Sequence, residues 1–256
     1  MKIAVLIKQV PDTWDERQLT ASGHVDRAAS ERIADEITER ALEIALLQKD
    51  ADKSVEVVAV TMGPAQASDA LRKALQMGAD SARHINDDTL AGADALTTAR
   101  ALAAGLQDDG YDIILAGNES TDGRGGVVPA MIAELLGIPF AGPLNTADFT
   151  GGSITGERES AEGTETVSAP LPAVVSITER AAEPRFPKFK GIMTAKRKPV
   201  TVSDAATLGL TDLAHDDGNL VLASSRRPAR TAGPKIIDEG QAASELIDYL
   251  SAEHLI

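Results

Sequence analysis

Four times between its first residue and Leu136, the chain sets a short apolar run before a longer stretch whose apolar residues recur at helical spacing. The short runs are residues 2–7 (KIAVLI), 55–60 (VEVVAV), 81–85 and 112–116 (DIILA). The helical stretches are residues 34–48, 65–77, 91–106 and 125–136. Runs this short and rich in β-branched residues read as strands buried on both faces. Strands alternating with helices predict an α/β protein: a parallel, Rossmann-like sheet with helices on both faces. The punctuation agrees, with a turn at Met62-Gly63-Pro64 and helix ends at Gly78 and Gly137. Ligands of such sheets sit at the carboxyl ends of strands. The turns after Ile7, Val60 and Ala116 are therefore the ones to search.

The remainder follows another pattern. Residues 149–167 alternate in polarity around Gly and Thr and read as a hairpin. Residues 173–177 (AVVSI) read as a further buried strand, and 183–198 as a basic loop broken by prolines. Residues 10–26 read as a loop with a small hairpin around Ser22-Gly23. From 201 to 233 the chain is polar and without periodicity, and 239–255 reads as a terminal helix. We divide the chain into an α/β nucleotide-binding domain, residues 1–200, and a C-terminal arm, 201–256. The arm is read as packing on a neighbouring subunit, with a loosely docked tail as the alternative.

Composition narrows the function. Only 3% of the 256 residues are aromatic against 43% apolar, so the core must be built from Ala, Val, Leu and Ile. A net charge of -14 repels phosphate backbones and argues against nucleic acid as a partner. The absence of cysteine removes disulfides, thiolate metal sites and Cys nucleophiles, and fits a reducing cytoplasm. Four scattered histidines have no metal-ligand spacing. Ser, Thr and His form no nucleophile elbow. We expect no catalytic residue and no metal ligand. No apolar run approaches a membrane span, and residues 1–10 lack the pattern of a signal peptide.

Three segments are candidates for binding. The first is Gly117-Asn118-Glu119-Ser120-Thr121-Asp122-Gly123-Arg124-Gly125-Gly126-Val127-Val128, between a buried strand and a helix. Glycines let backbone approach an anion, and a helix start offers free N–H groups. The segment is neither a Walker A loop nor G-x-G-x-x-G, and a merely flexible glycine turn is the other reading. The second joins Leu6 and Met62, at other strand ends, to Asp35, Glu36, Ile37 and Thr38. Together they would wall an adenine and its ribose. Singly, Leu6 and Met62 read as core and Asp35 as a helix N-cap. The third is Pro184-Arg185-Phe186-Pro187-Lys188-Phe189-Lys190-Gly191-Ile192-Met193, two aromatics and a Met among cations in an acidic protein. Apolar anchors ringed by charge suit a docking surface. A solvated loop with Phe186 and Phe189 tucked inward is the alternative.

Four segments in order, KIAVLIKQVPD, VVAVTMGPAQASDALRKALQMGAD, DIILAGNESTDGRGGVVPAMIAELLGIP and LPAVVSITERAAEPRFPKFKGIMTAKRKP, resemble the β subunits of electron-transfer flavoproteins over nearly the whole chain. The resemblance implies an electron carrier, not an enzyme, working as a heterodimer with an α subunit. It implies an FAD held mainly by that α subunit, and a structural AMP in this chain. The AMP contacts carried over are Leu6, Asp35, Glu36, Ile37, Thr38, Met62 and Gly117 through Val128. Residues 184–193 match the family's recognition loop for acyl-CoA dehydrogenases and related flavoenzymes, with Phe189 where the family usually has an anchoring Leu. Basic Lys196-Arg197-Lys198 follows. Thr13 or Trp14 falls near the flavin, and Glu159 at a position that steadies the mobile flavin domain. Electrons would pass on to a quinone-linked acceptor, in fatty acid oxidation.

Two departures stand out. Where the family often has Asn-Pro-aromatic-Asp, this chain has Asp35-Glu36-Ile37-Thr38. Its glycine loop ends Gly125-Gly126-Val127-Val128 without the usual Gln, so backbone donors would carry the phosphate. Some relatives hold a second FAD in place of AMP and bifurcate electrons; the missing motif leans against that. Two rival readings are a stand-alone adenine-nucleotide-binding domain of the stress or signalling type, and an adenylating or hydrolysing enzyme. The first has no need of residues 183–256. The second would carry a Ser-Gly-Gly loop where this chain has Lys8-Gln9-Val10-Pro11-Asp12.

Overall fold

The computed structural model describes residues 1–107, 109–210, 221–225, 227–233 and 235–256. The chain forms two compact units, residues 1–221 and 222–256. The first is built on a seven-stranded sheet in which every neighbouring pair is parallel. Its strands are β1 (Lys2–Leu6), β4 (Glu56–Met62), β5 (Ser81–Ile85), β6 (Ile113–Gly117), β7 (Phe140–Leu144), β11 (Ala173–Ile177) and β12 (Val200–Ser203). Their order is β12-β5-β4-β1-β6-β11-β7.

Each helix is set by its pattern. α1 (Glu36–Ala51) and α2 (Ser68–Met77) turn Ile37, Leu42, Leu71 and Leu75 onto the face that carries Ile3 and Val5 of β1. α3 (Ala95–Leu106) and α4 (Val128–Leu136) turn Ala99, Leu102 and Ile132 onto the opposite face, with Ala4 and Leu6. β1 is thus buried on both sides, which is why its sequence runs apolar without alternation. Each wholly buried Leu or Ile contributes about 1.5–3 kcal/mol. α3 starts four residues later than its periodicity predicts, because Asp94 caps it by accepting the Thr97 amide at 2.8 Å. α4 starts at Val128 with Pro129 in its first turn and ends on Gly137 in the left-handed region, φ 65°.

Five elements lie outside the sequence expectations. β7 and β12 are the sheet's edges. β7 contains Gly142-Pro143, and β12 opens the stretch read as aperiodic, so neither shows a buried apolar run. β2 (Gln9–Pro11) and β3 (Arg32–Ala34) pair antiparallel beside the end of β1. The basic segment read as a loop contains a short helix, α5 (Phe189–Ala195). No proline follows Pro187 there, and Gly191 lets the helix lie against α2, since a Cβ would sit 2.2 Å from the Gln76 carbonyl oxygen. The expected hairpin is present as β9 (Ser153–Ser160) and β10 (Gly163–Pro170), joined by β8 (Asp148–Thr150) into a three-stranded antiparallel sheet. The small turn at Ser22-Gly23 is closed by a bridge between Leu19 and Val25.

Among its described residues the second unit carries one helix, α6 (Ala242–Ala252), with no buried residue and with Leu246, Ile247 and Tyr249 exposed. Among the described residues no helix is long and apolar enough to cross a membrane, and no group of three or more His, Asp or Glu could hold a metal ion.

Candidate functional site

Strand order steps from β1 to β4 and β5 on one side, then returns to β6 on the other. The reversal opens a crevice beyond the carboxyl ends of β1 and β6, the place where open α/β sheets hold ligands. α1 flanks it on one face and α4 on the other. Leu6 closes β1 and is buried; Met62 closes β4, half-buried against the same cluster. The glycine-rich segment leaves β6 directly above them, its start fixed by the Asn118 amide donating to the Ile177 carbonyl at 2.8 Å.

Asp35 holds the two sides together. It is fully buried, and one carboxylate oxygen caps α1 by accepting the Ile37 amide at 3.0 Å. The other accepts the Thr121 amide at 2.7 Å and the Thr121 hydroxyl at 2.9 Å. Thr38 donates its hydroxyl to the Asp35 carbonyl at 2.8 Å. Both side chains are therefore committed to shaping the crevice. Glu36 is exposed, 3.4 Å from the Thr13 hydroxyl. Ile37 lies under Gly117, where a Cβ would come within 2.9 Å of its methyl.

A second knot lies in the loop. The Asp122 side chain is fully buried between Lys8 Nζ at 2.7 Å and Arg27 Nη2 at 2.6 Å, and accepts the Gly123 amide at 2.6 Å. Burial works to push the Asp122 carboxyl up, but Lys8, Ser120 and Arg27 overcome it and hold the group well below the usual carboxylate range. Lys8 Nζ also donates to the Ser120 hydroxyl at 2.9 Å.

Beyond this knot the loop opens. Residues 123–127 are exposed, and Arg124 and Gly126 take positive φ of 49° and 66°. Among the described residues no acceptor meets the amides of Gly125, Gly126, Val127 or Val128. The Asn118 Oδ1, by contrast, is buried without a partner. Free amides at the start of a helix such as α4, reinforced by its dipole, are groups of the kind that favour an anion, and the space at Gly125 is open.

The third candidate segment lies at the far end of α1. Arg185 forks onto the buried Glu43 at 2.7 and 2.8 Å and reaches Asp50 at 2.8 Å, while its amide donates to Glu43 at 3.1 Å. This anchor leaves Phe186 and Phe189 pointing outward, 91% and 80% exposed, with Ile192 and Met193 exposed beside them. Pro184, Pro187 and Gly191 are half-buried; Lys188 and Lys190 are exposed. Thr13 and Trp14 lie on the turn after β2, where Thr13 reaches Glu36 and Trp14 is almost wholly exposed. Glu159, on β9, is ion-paired with Arg180.

Three residues were missed by pattern. Lys8 follows the first strand directly, so its place at the strand end was available. Glu43 stands between buried Leu42 and Ile44, a signal of a satisfied internal charge. Nothing local marks Arg27, whose partner is 95 residues away.

Comparison with known proteins agrees with the α/β fold. The family model of the electron transfer flavoprotein domain matches residues 22–208. The electron transfer flavoprotein subunit beta of Mycobacterium tuberculosis (strain ATCC 25618 / H37Rv) is 50% identical over 264 residues, covering 99% of each chain. The protein of the same name from Megasphaera elsdenii is 35% identical, and the caffeyl-CoA reductase-Etf complex subunit CarD of Acetobacterium woodii 32% identical, each over 100% of both chains.

Proposed function

The chain belongs to the electron transfer flavoprotein family as a beta subunit, and from that premise we propose that it holds a structural AMP in the crevice at β1 and β6 and docks flavoenzyme donors through residues 184–193. The electron-transfer role and an alpha-subunit partner come with the family. The observation that carries the nucleotide reading is the set of unmatched amides at Gly125, Gly126, Val127 and Val128, beside the unpartnered Asn118 oxygen. Those amides suit a phosphate, and the half-buried Met62 beside Leu6 suits the flat face of a base. Glu36 and the backbone of residues 35–38 line its other side. Residues 119–124 act by shape: Glu119 to Arg124 carry the chain round, with Ser120, Thr121 and Asp122 pinned from below.

The FAD belongs mainly to the alpha subunit and, when bound, supplies one-electron redox chemistry. This chain supplies a wall, with Thr13 and Trp14 at its edge and Glu159 available to steady the partner's flavin domain. Its own part in transfer is anchoring. Acyl-CoA dehydrogenases and related flavoenzymes dock on Phe189 and its neighbours, and electrons leave for a quinone-linked acceptor. The chain itself performs no catalysis, works in the cytoplasm, and serves fatty acid oxidation. The 222–256 unit packs its apolar α6 on the alpha subunit.

Co-expression with the alpha subunit, followed by release and chromatography of bound nucleotides, tests the reading. One FAD and one AMP per heterodimer are expected. Two FAD would replace it with a bifurcating carrier. A chain that binds nucleotide but no alpha subunit or flavin would make it a stand-alone nucleotide-binding protein.

A further inference from the structure

We propose that the outer edge of β12 is a second docking surface, which takes an extended acidic segment of a partner protein as an eighth strand. This goes beyond the role of residues 184–193 and does not depend on it. The evidence begins with the backbone. Ala82 donates to the Pro199 carbonyl at 3.0 Å and Asn86 to the Ser203 carbonyl at 2.9 Å, so the odd-numbered residues of β12 face β5. Backbone groups alternate along a strand, so Val200 and Val202 turn their N–H and C=O outward. Among the described residues nothing accepts from or donates to them. β12 is therefore an open template of the kind that proteins usually blunt or cover.

The side chains add chemistry. Val200 and Val202 share a face and are 48% and 62% exposed. Beside Val200 lies a groove of about 480 Å³ between α2 and the α5–β12 segment, floored by Leu71, Leu75 and Val200 and flanked by Lys196 and by Arg72, which also pairs with Asp69 at 3.5 Å. Arg197 is exposed on the same turn. The strip is cationic on a chain whose net charge is -14, so its charge complement is acidic. An added strand alternating acidic and apolar residues would satisfy the four outward backbone groups, set its apolar side chains over Leu71 and Val200, and meet Arg72 and Lys196 with its carboxylates. The opposite edge lacks these features, since Pro143 removes a donor from β7.

The test uses the full heterodimer and a fluorescein-labelled Glu-Val-Glu-Val-Glu-Val peptide, read by anisotropy at low salt. Wild type should bind. Val202→Pro, tolerated because that N–H faces outward, should weaken binding by at least about tenfold. The same peptide with alternate amides N-methylated keeps its charge and should lose binding to a similar extent, an arm that needs no variant to fold. Lys196→Gln with Arg197→Gln should flatten the salt dependence. Absence of binding by wild type overturns the proposal. Equal binding of the N-methylated peptide, or by a folded Val202→Pro, reduces the surface to charge capture and overturns it too. Concentration-dependent self-association that Val202→Pro abolishes would make a second copy of this chain the occupant.

Discussion

Asp35 and Thr121, 86 residues apart, meet through two hydrogen bonds to a single buried carboxylate oxygen, 2.7 Å from the amide and 2.9 Å from the hydroxyl. The same carboxylate caps α1. One side chain thus fixes both banks of the crevice. Asp35→Ala removes the cap, worth about 1 kcal/mol, and leaves the Thr121 donors without a partner, worth about 1–3 kcal/mol more. Urea unfolding should show a loss of about 2–4 kcal/mol, with AMP retention reduced. Asp35→Asn keeps an oxygen for one side and should lose less. A fully stable Asp35→Ala that still retains AMP would refute the tie.

Asp122 makes stability depend on acid. Its folded carboxyl titrates below the ordinary value, so at low pH the unfolded chain binds the proton more readily than the folded one. The contribution is therefore complete above the unfolded carboxylate value of about 3.9 and is lost as pH falls below it. Unfolding midpoints measured between about pH 6 and pH 3 should fall more steeply for wild type than for Asp122→Asn. Parallel slopes would show that Lys8 and Arg27 do not hold the charged form.

The sequence's legibility follows burial. β1, β4, β6 and β11 are covered on both faces, so each announces itself as an unbroken apolar run. β7 and β12 lie at the edges, where Pro143 is tolerated and Thr201 and Ser203 break the run, and they were invisible. The glycine-rich loop was legible as the turn between a buried strand and a helix, because β6 ends at its first glycine. Asp35 was legible as a cap. Its bond to Thr121, like Arg27 to Asp122, was not, because no local spacing encodes a contact between distant segments. The outward turn of Phe186 and Phe189 depends on Arg185 gripping Glu43, another such contact.

That grip sets a third prediction. Glu43 is almost fully buried, so Arg185→Ala leaves a charge without its partner. The single variant should cost about 3–5 kcal/mol, whereas Glu43→Gln with Arg185→Ala together should recover part of it. A double-mutant cycle by urea unfolding gives the coupling. Additive losses would mean that the pair does not interact in solution.

Phe189→Ala should leave the heterodimer and its nucleotide intact while slowing reduction by an acyl-CoA dehydrogenase. Its side chain touches solvent, so stability should change by less than about 0.5 kcal/mol. Stopped-flow reduction with unchanged rates across donor concentrations would remove Phe189 from the anchor.

Gly191→Ala reverses the usual sign for a helix. In an open helix interior, alanine in place of glycine gains about 0.5–1 kcal/mol. Here the new Cβ would sit 2.2 Å from the Gln76 carbonyl oxygen, a backbone atom of α2 that cannot swing aside. α5 must then lift away from α2. Lys198, which caps α2 by donating to the Leu75 and Ala79 carbonyls at 2.8 and 2.5 Å, would be drawn with it. Hydrogen exchange should quicken across residues 189–195 and at the end of α2, while β1 and β6 keep their protection. Unchanged protection across α5, or a net gain in stability, would mean that α5 does not rest on α2 at Gly191.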